Sequence, residues 1–268
     1  MSPAPPPSLR VERRLLRDGL ASLAGLDEVG RGALCGPVTV GAVLVTEQTR
    51  TAPQGVRDSK LLTAEARQRL VPRIQRWATA YAVGHAGPEE IDRYGIIAAL
   101  RLAGHRALAG LGVAPGTVLL DGNRDYLSPP AQAAMFDAPT VLERVPPVVT
   151  MIKADLRCAA VAAASILAKT ARDDIMVRLA ADHPEYGWAD NKGYAAPEHL
   201  DALAALGPTP HHRVSWNLPG RPPPVDPASA EQAPADVCVD DVDAGQALLE
   251  EDVRLAGPVP LAGIESAS

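Results

Sequence analysis

Apolar positions along this chain follow two rhythms. Val38 to Val45 (VTVGAVLV) is rich in β-branched residues and reads as a buried strand. Leu23 to Leu26 is a shorter apolar run that ends at Asp27-Glu28 and a glycine-rich turn. Thr117 to Leu120 is a similar run ending at Asp121, and Val148 to Ile152 is followed closely by Asp155. Tyr81 to His85 is a weaker strand pattern. Helical spacing governs Thr63 to Trp77, where Leu70, Ile74 and Trp77 share a face, Thr63 is placed to cap the start, and Pro72 is a candidate kink. Pro88 to Leu111 reads as one or two helices broken near Gly95. Arg157 to Leu179 reads as one long helix whose alanine-rich stretch, Ala159 through Ala168, suits close packing on a sheet. A short helix is expected at His199 to Leu206, after Pro197, and another within Val11 to Leu20.

Strands come first and then alternate with helices, which predicts an α/β layered architecture. Residues 1–20 read as an N-terminal arm and 21–218 as the folded domain. Residues 219–268 read as a disordered tail, rich in Pro, Ala and acids, that does not fold on its own. No internal repeat is visible.

Aromatics make up only 3% of the 268 residues, so the core must rest on Leu, Val, Ile and Ala. No apolar run reaches the ~20 residues of a membrane helix, and the proline-rich opening MSPAPPPSLR lacks the apolar stretch of a signal peptide. Cys35, Cys158 and Cys238 lie far apart without a CxxC pair, which argues against a disulfide framework or zinc site and suits a reducing cytoplasm. The net charge of −6 is misleading as an average, because residues 221–268 hold ten acids against two arginines and the remainder is close to neutral. Such a body can carry a basic groove beside an acidic site. The charge count permits nucleic-acid binding without arguing for it. Only four of the 26 basic residues are lysines (Lys60, Lys153, Lys169 and Lys192), either by chance or because a compact ammonium is wanted there.

Four carboxylates draw attention. Asp27, with Glu28 beside it, and Asp121 close predicted strands, and Asp155 lies just past one. Strand ends on one edge of an α/β sheet are where ligands gather. Clustered carboxylates repel one another unless a positive charge sits among them. A hard divalent cation is the natural compensator, and a pair of such ions suits in-line phosphoryl displacement. A single Asp at a strand end is more often a turn former or helix cap. The adjacent Asp27-Glu28 pair, placed before Gly30-Arg31-Gly32, is a poor choice for a plain turn. Glycines in that loop let backbone N–H groups approach a phosphate or sugar oxygen, although a bare GRG is in isolation an ordinary tight turn.

Five ordered blocks carry a more specific signal. LAGLDEVGRGALCGPVTVGAVLV resembles the opening signature of the bacterial ribonuclease HII family (type 2 ribonuclease H). RDSKLLT at 57–63, VLLDGN at 118–123, KADLRCAAVAAASILAKTARD at 153–173 and HPEYGWADNKGYAAPEHLDALAALGPTPHHRVSW at 183–216 resemble its later blocks, in family order. The chain departs from the family pattern at Ala154, where Gly is usual, and at Trp188 and Trp216, where Phe is common. None of these changes removes a functional group, though Ala154 bears on how Asp155 is presented.

The resemblance implies a ribonuclease H-like fold: a mixed five-stranded sheet flanked by helices, with a helical C-terminal region. It implies an endoribonuclease that cleaves the RNA strand of RNA–DNA hybrids and cuts 5′ of single ribonucleotides embedded in duplex DNA. Metal-assisted hydrolysis would leave 3′-hydroxyl and 5′-phosphate ends. Asp27, Glu28, Asp121 and Asp155 would be both the catalytic and the metal-holding acids, with Mn²⁺ or Mg²⁺ as cofactor. Gly30, Arg31 and Gly32 match the loop that senses the ribose 2′-hydroxyl, the group that distinguishes RNA from DNA. Tyr194 matches the aromatic residue that packs on the neighbouring sugar. Lys60, Lys153, Lys169 and Arg172 are candidates for phosphate contacts or charge balance, with a solvated or helix-end role as the alternative. His211, His212 and Arg213 are candidates to line the nucleic-acid groove, with packing or capping as the alternative. The expected partners are RNA–DNA hybrid and ribonucleotide-containing duplex DNA, with no membrane, and a cytoplasmic monomer is expected.

Three rival readings fit the same residues less well. Ribonuclease HIII carries an extra N-terminal domain and usually a Lys between the loop glycines. A non-catalytic hybrid binder on the same fold would have lost an acid, and all four are present. A phosphate-binding metabolic enzyme would want GxxxxGK[ST] or GxGxxG after a strand, and GRGALCG meets neither.

Overall fold

The computed structural model describes residues 5–17, 19–129 and 141–219 in full, together with the backbone of Val253–Leu255. The strands are β1 (Leu23–Val29), β2 (Val38–Val45), β3 (Ala80–Ala86), β4 (Thr117–Asp121), β5 (Val148–Met151) and β6 (Val253–Leu255). The helices are α1 (Arg10–Leu16), α2 (Ala64–Trp77), α3 (Pro88–Gly110), α4 (Ala159–Asp182), α5 (Trp188–Asn191) and α6 (Pro197–Leu206). The sheet order is β3-β2-β1-β4-β5-β6. β1 to β3 form an antiparallel meander, β4 and β5 run parallel to β1, and β6 pairs antiparallel with β5.

The five expected strands are β1 to β5. The sixth, β6, comes from the stretch read as a tail, where three residues too short to stand alone borrow the open edge of β5. The rest of that stretch, residues 220–252 and 256–268, lies outside the described residues. The arm also differs from expectation, because it docks. Leu9 and Leu16 are buried in the core. Ser8 bonds to the backbone of Arg157 and Ala159. Glu12 is fully buried and accepts the Ala160 N–H at 2.8 Å, capping the start of α4. Burial pushes the Glu12 carboxyl up to about 7, so the neutral acid is within reach at physiological pH.

Residues alternate across the sheet as its period of two requires. Leu23, Val43, Leu119 and Val149 face α4, whereas Ala24, Leu26, Ala42, Val118 and Leu120 face α3. Helix α4 lies unusually close to β1 and β2. A Cβ at Gly25 would come within 2.7 Å of the Ala160 backbone, and one at Gly41 would overlap Ala164. The alanine run therefore meets glycines in the sheet, and the contact has no room for a larger pair.

Local signals held where they had a mechanism. Thr63 caps α2, its hydroxyl accepting from Ala66 N–H at 3.2 Å, a contribution of about 1 kcal/mol. Gly95 breaks the interior of α3, with φ 78° and ψ 162°. No described helix is long and apolar enough to cross a membrane.

Candidate active site

Strand register brings the acids together. β1 and β4 are parallel with Leu26 opposite Leu120, so the next residues, Asp27 and Asp121, stand side by side at the same edge. β4 pairs Asp121 with Met151 at the end of β5, and the chain then turns through a 3₁₀ turn, Ala154–Leu156, that carries Asp155. Asp27 and Glu28, being consecutive, emerge on opposite faces. Asp27 lies on the α4 side beside Ser165. Glu28 lies on the α3 side, where the Tyr126 hydroxyl donates to Oε2 at 3.4 Å. All four acids line one open cleft of about 400 Å³, together with Val29, Ser59, Lys60, Ser165, Lys169 and Tyr194.

The electrostatics of the cleft are those of an under-compensated anionic cluster. Burial raises the Asp27 carboxyl well above its usual range, and Glu28, Asp121 and Asp155 push it further against an opposing hydrogen bond from Ser165. Glu28 is raised by burial and by Asp121, and Asp121 by burial against the N–H groups of Ala154, Asp155 and Gly122. Asp155 is pushed up to about 6 by burial, Asp121 and Asp58. Burial alone would lower the Lys60 ammonium, but Asp58, Asp27, Asp155 and Asp121 outweigh it and hold it above its ordinary value. Lys169 is already committed to Asp173 at 2.9 Å. Among the described residues of the lining, Lys60, helped at Glu28 by the Arg31 guanidinium, thus faces four carboxylates.

That donor set is all hard oxygen. Both described cysteines are buried away from the cleft lining, with thiols raised by burial, and no imidazole lines it. Among the described residues no three His, Cys, Asp or Glu side chains stand close enough together, as they are placed, to hold an ion between them. An open ring of carboxylates fits a cation that keeps waters and takes ligands from a substrate phosphate. It does not fit the closed tetrahedral N/S cage of structural zinc.

The other expected residues are placed as follows. Gly30 follows β1 with φ +84°, a conformation that favours glycine. A Cβ there would also come within 2.8 Å of the Pro37 carbonyl and overlap Arg172. Gly32 has nothing within 4 Å of where a Cβ would stand, so the protein itself gives no reason for a missing side chain. Arg31 is exposed beside it. Tyr194 is half-buried at the cleft, with its ring 5.8 Å from Lys169 Nζ and 5.3 Å from the Arg172 guanidinium. Lys60 and Lys169 line the cleft, whereas Lys153 is exposed, outside the lining, in a left-handed conformation before the 3₁₀ turn.

Two expectations need correction. Arg172 is not a surface phosphate contact. It is fully buried and donates to the carbonyls of Pro37 (2.9 Å), Lys192 (2.9 Å) and Cys35 (3.0 Å). His212 is not a groove residue either, being buried at 1% exposure within a cluster containing Tyr186, Trp188 and His199. The packing alternative holds for it.

Sequence reasoning missed Tyr126 and the Ser59–Ser165 pair, and it offered Arg213 as a groove residue where the packing alternative holds. Arg213 is fully buried and donates to the carbonyls of Gly30 (2.6 Å), Arg31 (2.8 Å) and Gly36, fixing the glycine loop from below. Ser165 Oγ stands 2.8 Å from Ser59 Oγ beside Asp27. The available signal was a lone hydroxyl inside an alanine run.

Comparison with known proteins matches this geometry to sequences and structures. The family profile of ribonuclease HII matches residues 24–218. A ribonuclease HII of Streptomyces coelicolor is 50% identical over 215 residues, covering 80% of this chain and 85% of its own length. One of Paracoccus denitrificans is 46% identical, covering 78% of this chain and 91% of its own length. Among solved structures, the ribonuclease H2 of Pyrococcus horikoshii superposes with a TM-score of 0.57 at 26% identity, over 73% of this chain and 93% of that one. A Bst-RNase HIII in complex with Mn²⁺ superposes with a TM-score of 0.53 at 25% identity, over 73% of this chain and 65% of that one.

Proposed function

The chain belongs to the ribonuclease HII family and is therefore a hydrolytic nuclease acting on the RNA of RNA–DNA hybrids. From that premise we propose that it also cuts 5′ of single ribonucleotides embedded in duplex DNA, leaving 3′-hydroxyl and 5′-phosphate ends. The observation that carries the reading is the convergence of Asp27, Glu28, Asp121 and Asp155, from two strand ends and a turn, on one cleft that also holds Tyr194 and adjoins the Gly30–Gly32 loop.

In this reading the four carboxylates hold Mg²⁺ or Mn²⁺, the hard cations that the donor set and its surplus of negative charge favour. The relative with Mn²⁺ bound supports a divalent cofactor for this chain. When bound, such an ion supplies Lewis acidity at the scissile phosphate and makes water a competent nucleophile near neutral pH. The chain's own residues do the rest. Arg213 fixes the carbonyls of Gly30 and Arg31, so the peptide planes of the loop stand in a set orientation. The open space at Gly32 lets a sugar approach the backbone, which suits recognition of a 2′-hydroxyl. Tyr194 offers a ring face to the adjoining sugar, and the ammonium groups of Lys60 and Lys169 lie within reach of flanking phosphate oxygens. The four acids all come from one chain, which suits a monomer.

The deciding experiment uses a duplex with one ribonucleotide, with and without Mg²⁺ or Mn²⁺, and maps the cut and its end groups. Cleavage on the 5′ side, abolished by chelation, is expected. Cleavage that persists in chelator, or a cut on the 3′ side, would overturn the reading.

A further inference from the structure

Behind Tyr194 lies a buried chain of polar groups that the cleft chemistry does not use. Trp188 and His199 are fully buried and His212 is 1% exposed. The Thr209 N–H donates to His212 Nδ1 at 2.9 Å, with Thr209 Oγ1 at 3.0 Å from the same nitrogen. His212 Nε2 stands 3.1 Å from His199 Nε2, and Trp188 Nε1–H donates to that same His199 nitrogen at 3.1 Å. His199 Nδ1 lies 2.8 Å from the Tyr194 carbonyl oxygen.

The fixed donors and acceptors around the two rings select one arrangement of protons, with the single lone pair of His199 Nε2 shared between two donors. A backbone N–H and an indole N–H can only donate, and a carbonyl can only accept. His212 Nδ1 and His199 Nε2 must therefore be unprotonated. His212 then carries its proton on Nε2 and donates to His199. His199 carries its proton on Nδ1 and donates to Tyr194. Both rings are neutral, as burial in an apolar cluster favours. The result is a directed relay, Thr209 to His212 to His199 to the backbone of Tyr194, with Trp188 bracing the middle.

We infer that His199 is a positioning residue for Tyr194. One ring nitrogen is set by Trp188 and His212, and the other pins the tyrosine's backbone. The loop is held from two further sides. Arg172 binds the Lys192 carbonyl, and Gly193, with φ +82°, packs so closely that a Cβ would come within 2.8 Å of the Cys35 carbonyl. The side chain of Tyr194 is thereby left to meet substrate on a fixed base. The inference rests on the reading that Tyr194 contacts the sugar beside a lone ribonucleotide.

The test pairs two neutral substitutions of one residue. In His199→Asn the amide nitrogen sits where Nδ1 was and keeps the donor to Tyr194. In His199→Gln the amide oxygen reaches the Nε2 position and keeps the acceptor for Trp188 and His212, but the donor is lost. The readout is the ratio of kcat/KM on a single-ribonucleotide duplex to kcat/KM on uniform hybrid, in the full chain with divalent cation present, with Tyr194→Ala alongside. His199→Gln is expected to lower that ratio about 10-fold, with His199→Asn close to the parent in that ratio although it melts lower, because Trp188 Nε1–H and His212 Nε2–H lose their acceptor. Equal losses in both variants, or no loss in His199→Gln while Tyr194→Ala lowers the ratio, would overturn the inference. Should Tyr194→Ala leave the ratio unchanged, the reading of Tyr194 fails instead. The relay is then decided on the unmodified protein by ¹⁵N-resolved NMR of its imidazoles. His199 protonated at Nδ1 and His212 at Nε2 supports it, and the opposite tautomer of either ring overturns it.

Discussion

Asp121 Oδ1 accepts the backbone N–H of Ala154 at 2.6 Å, across 33 residues of sequence. The bond ties the end of β4 to the turn that presents Asp155, so two of the four acids are placed by one contact made through the backbone. Ala154 is fully buried, and its φ is not positive. The methyl group in place of the family's usual glycine therefore costs nothing in conformation and restricts the unfolded chain. Ala154→Gly is expected to lower stability by about 1 kcal/mol and leave cleavage within about twofold of the parent. A marked gain in activity would mean that Ala154 displaces Asp155.

Asp27→Asn removes one charge from the centre of the cluster while keeping its shape. Cleavage is expected to fall on the order of 1,000-fold, with hybrid affinity largely retained. Because burial and three like charges raise the Asp27 carboxyl well above its usual range, its charged form is costly without an ion, and the ion-free variant is expected to melt higher than the parent at a pH where Asp27 ionises. Full activity in Mg²⁺ would contradict the assignment of Asp27.

The acids set the sign of a linkage to pH. Asp155, with its pKa raised from 3.8 to about 6, contributes stability that is fully present below its ordinary value and is lost as pH rises through about 6. His212 works the other way in an overlapping window. Its pKa is lowered from 6.5 to about 4, chiefly by burial, so its contribution is lost as pH falls through 4. Absolute melting temperature mixes the two. The shift produced by added Mn²⁺ separates them, because the ion binds deprotonated acids. That shift is expected to be larger at pH 8 than at pH 5, and calorimetry showing equal shifts would remove the acids from the site.

Tyr194→Ala should harm cutting at a lone ribonucleotide about 10-fold more than cutting of long hybrids. A long hybrid offers many registers, whereas a single ribonucleotide offers one. Parallel kinetics on the two substrates decide the matter, and equal losses would remove Tyr194 from recognition of the junction.

Arg213→Lys keeps the charge but loses the fork that serves Gly30, Arg31 and Gly36 together. Leaving these carbonyls partly unpaired is expected to cost about 2–4 kcal/mol, a drop in melting temperature on the order of 10 °C. An unchanged melting temperature with intact recognition of the 2′-hydroxyl would show that the loop holds its own shape.

The elements with local causes were legible in the sequence. The cap at Thr63, the break at Gly95, the β-branched run of β2 and the alanine helix each follow from residues acting on their neighbours. The strand-end acids were legible too, since Asp121 needs only to terminate a short apolar strand to reach the edge. The supports were not legible. Arg172 and Arg213 look alike in sequence to the solvated arginines around them, and only tertiary burial against bare carbonyls distinguishes them. Glu12 reads as one charge in a basic arm until α4 is seen to start on it. Strand β6 has no local signal, because its partner supplies the whole reason for its being extended.

Helix α4 touches the sheet at Gly25 and Gly41 with no spare clearance, and the same helix carries Ser165 and Lys169 to the cleft. Anything that thickens that contact lifts the wall of the reaction site as one piece. Enlarging substitutions deep in the interior would then register in an activity screen as lesions of the chemistry, at positions that never meet nucleic acid. Conversely, altering which duplexes the enzyme accepts has to proceed through the rim loops around Gly30 and Tyr194, since the floor beneath them leaves nothing to adjust.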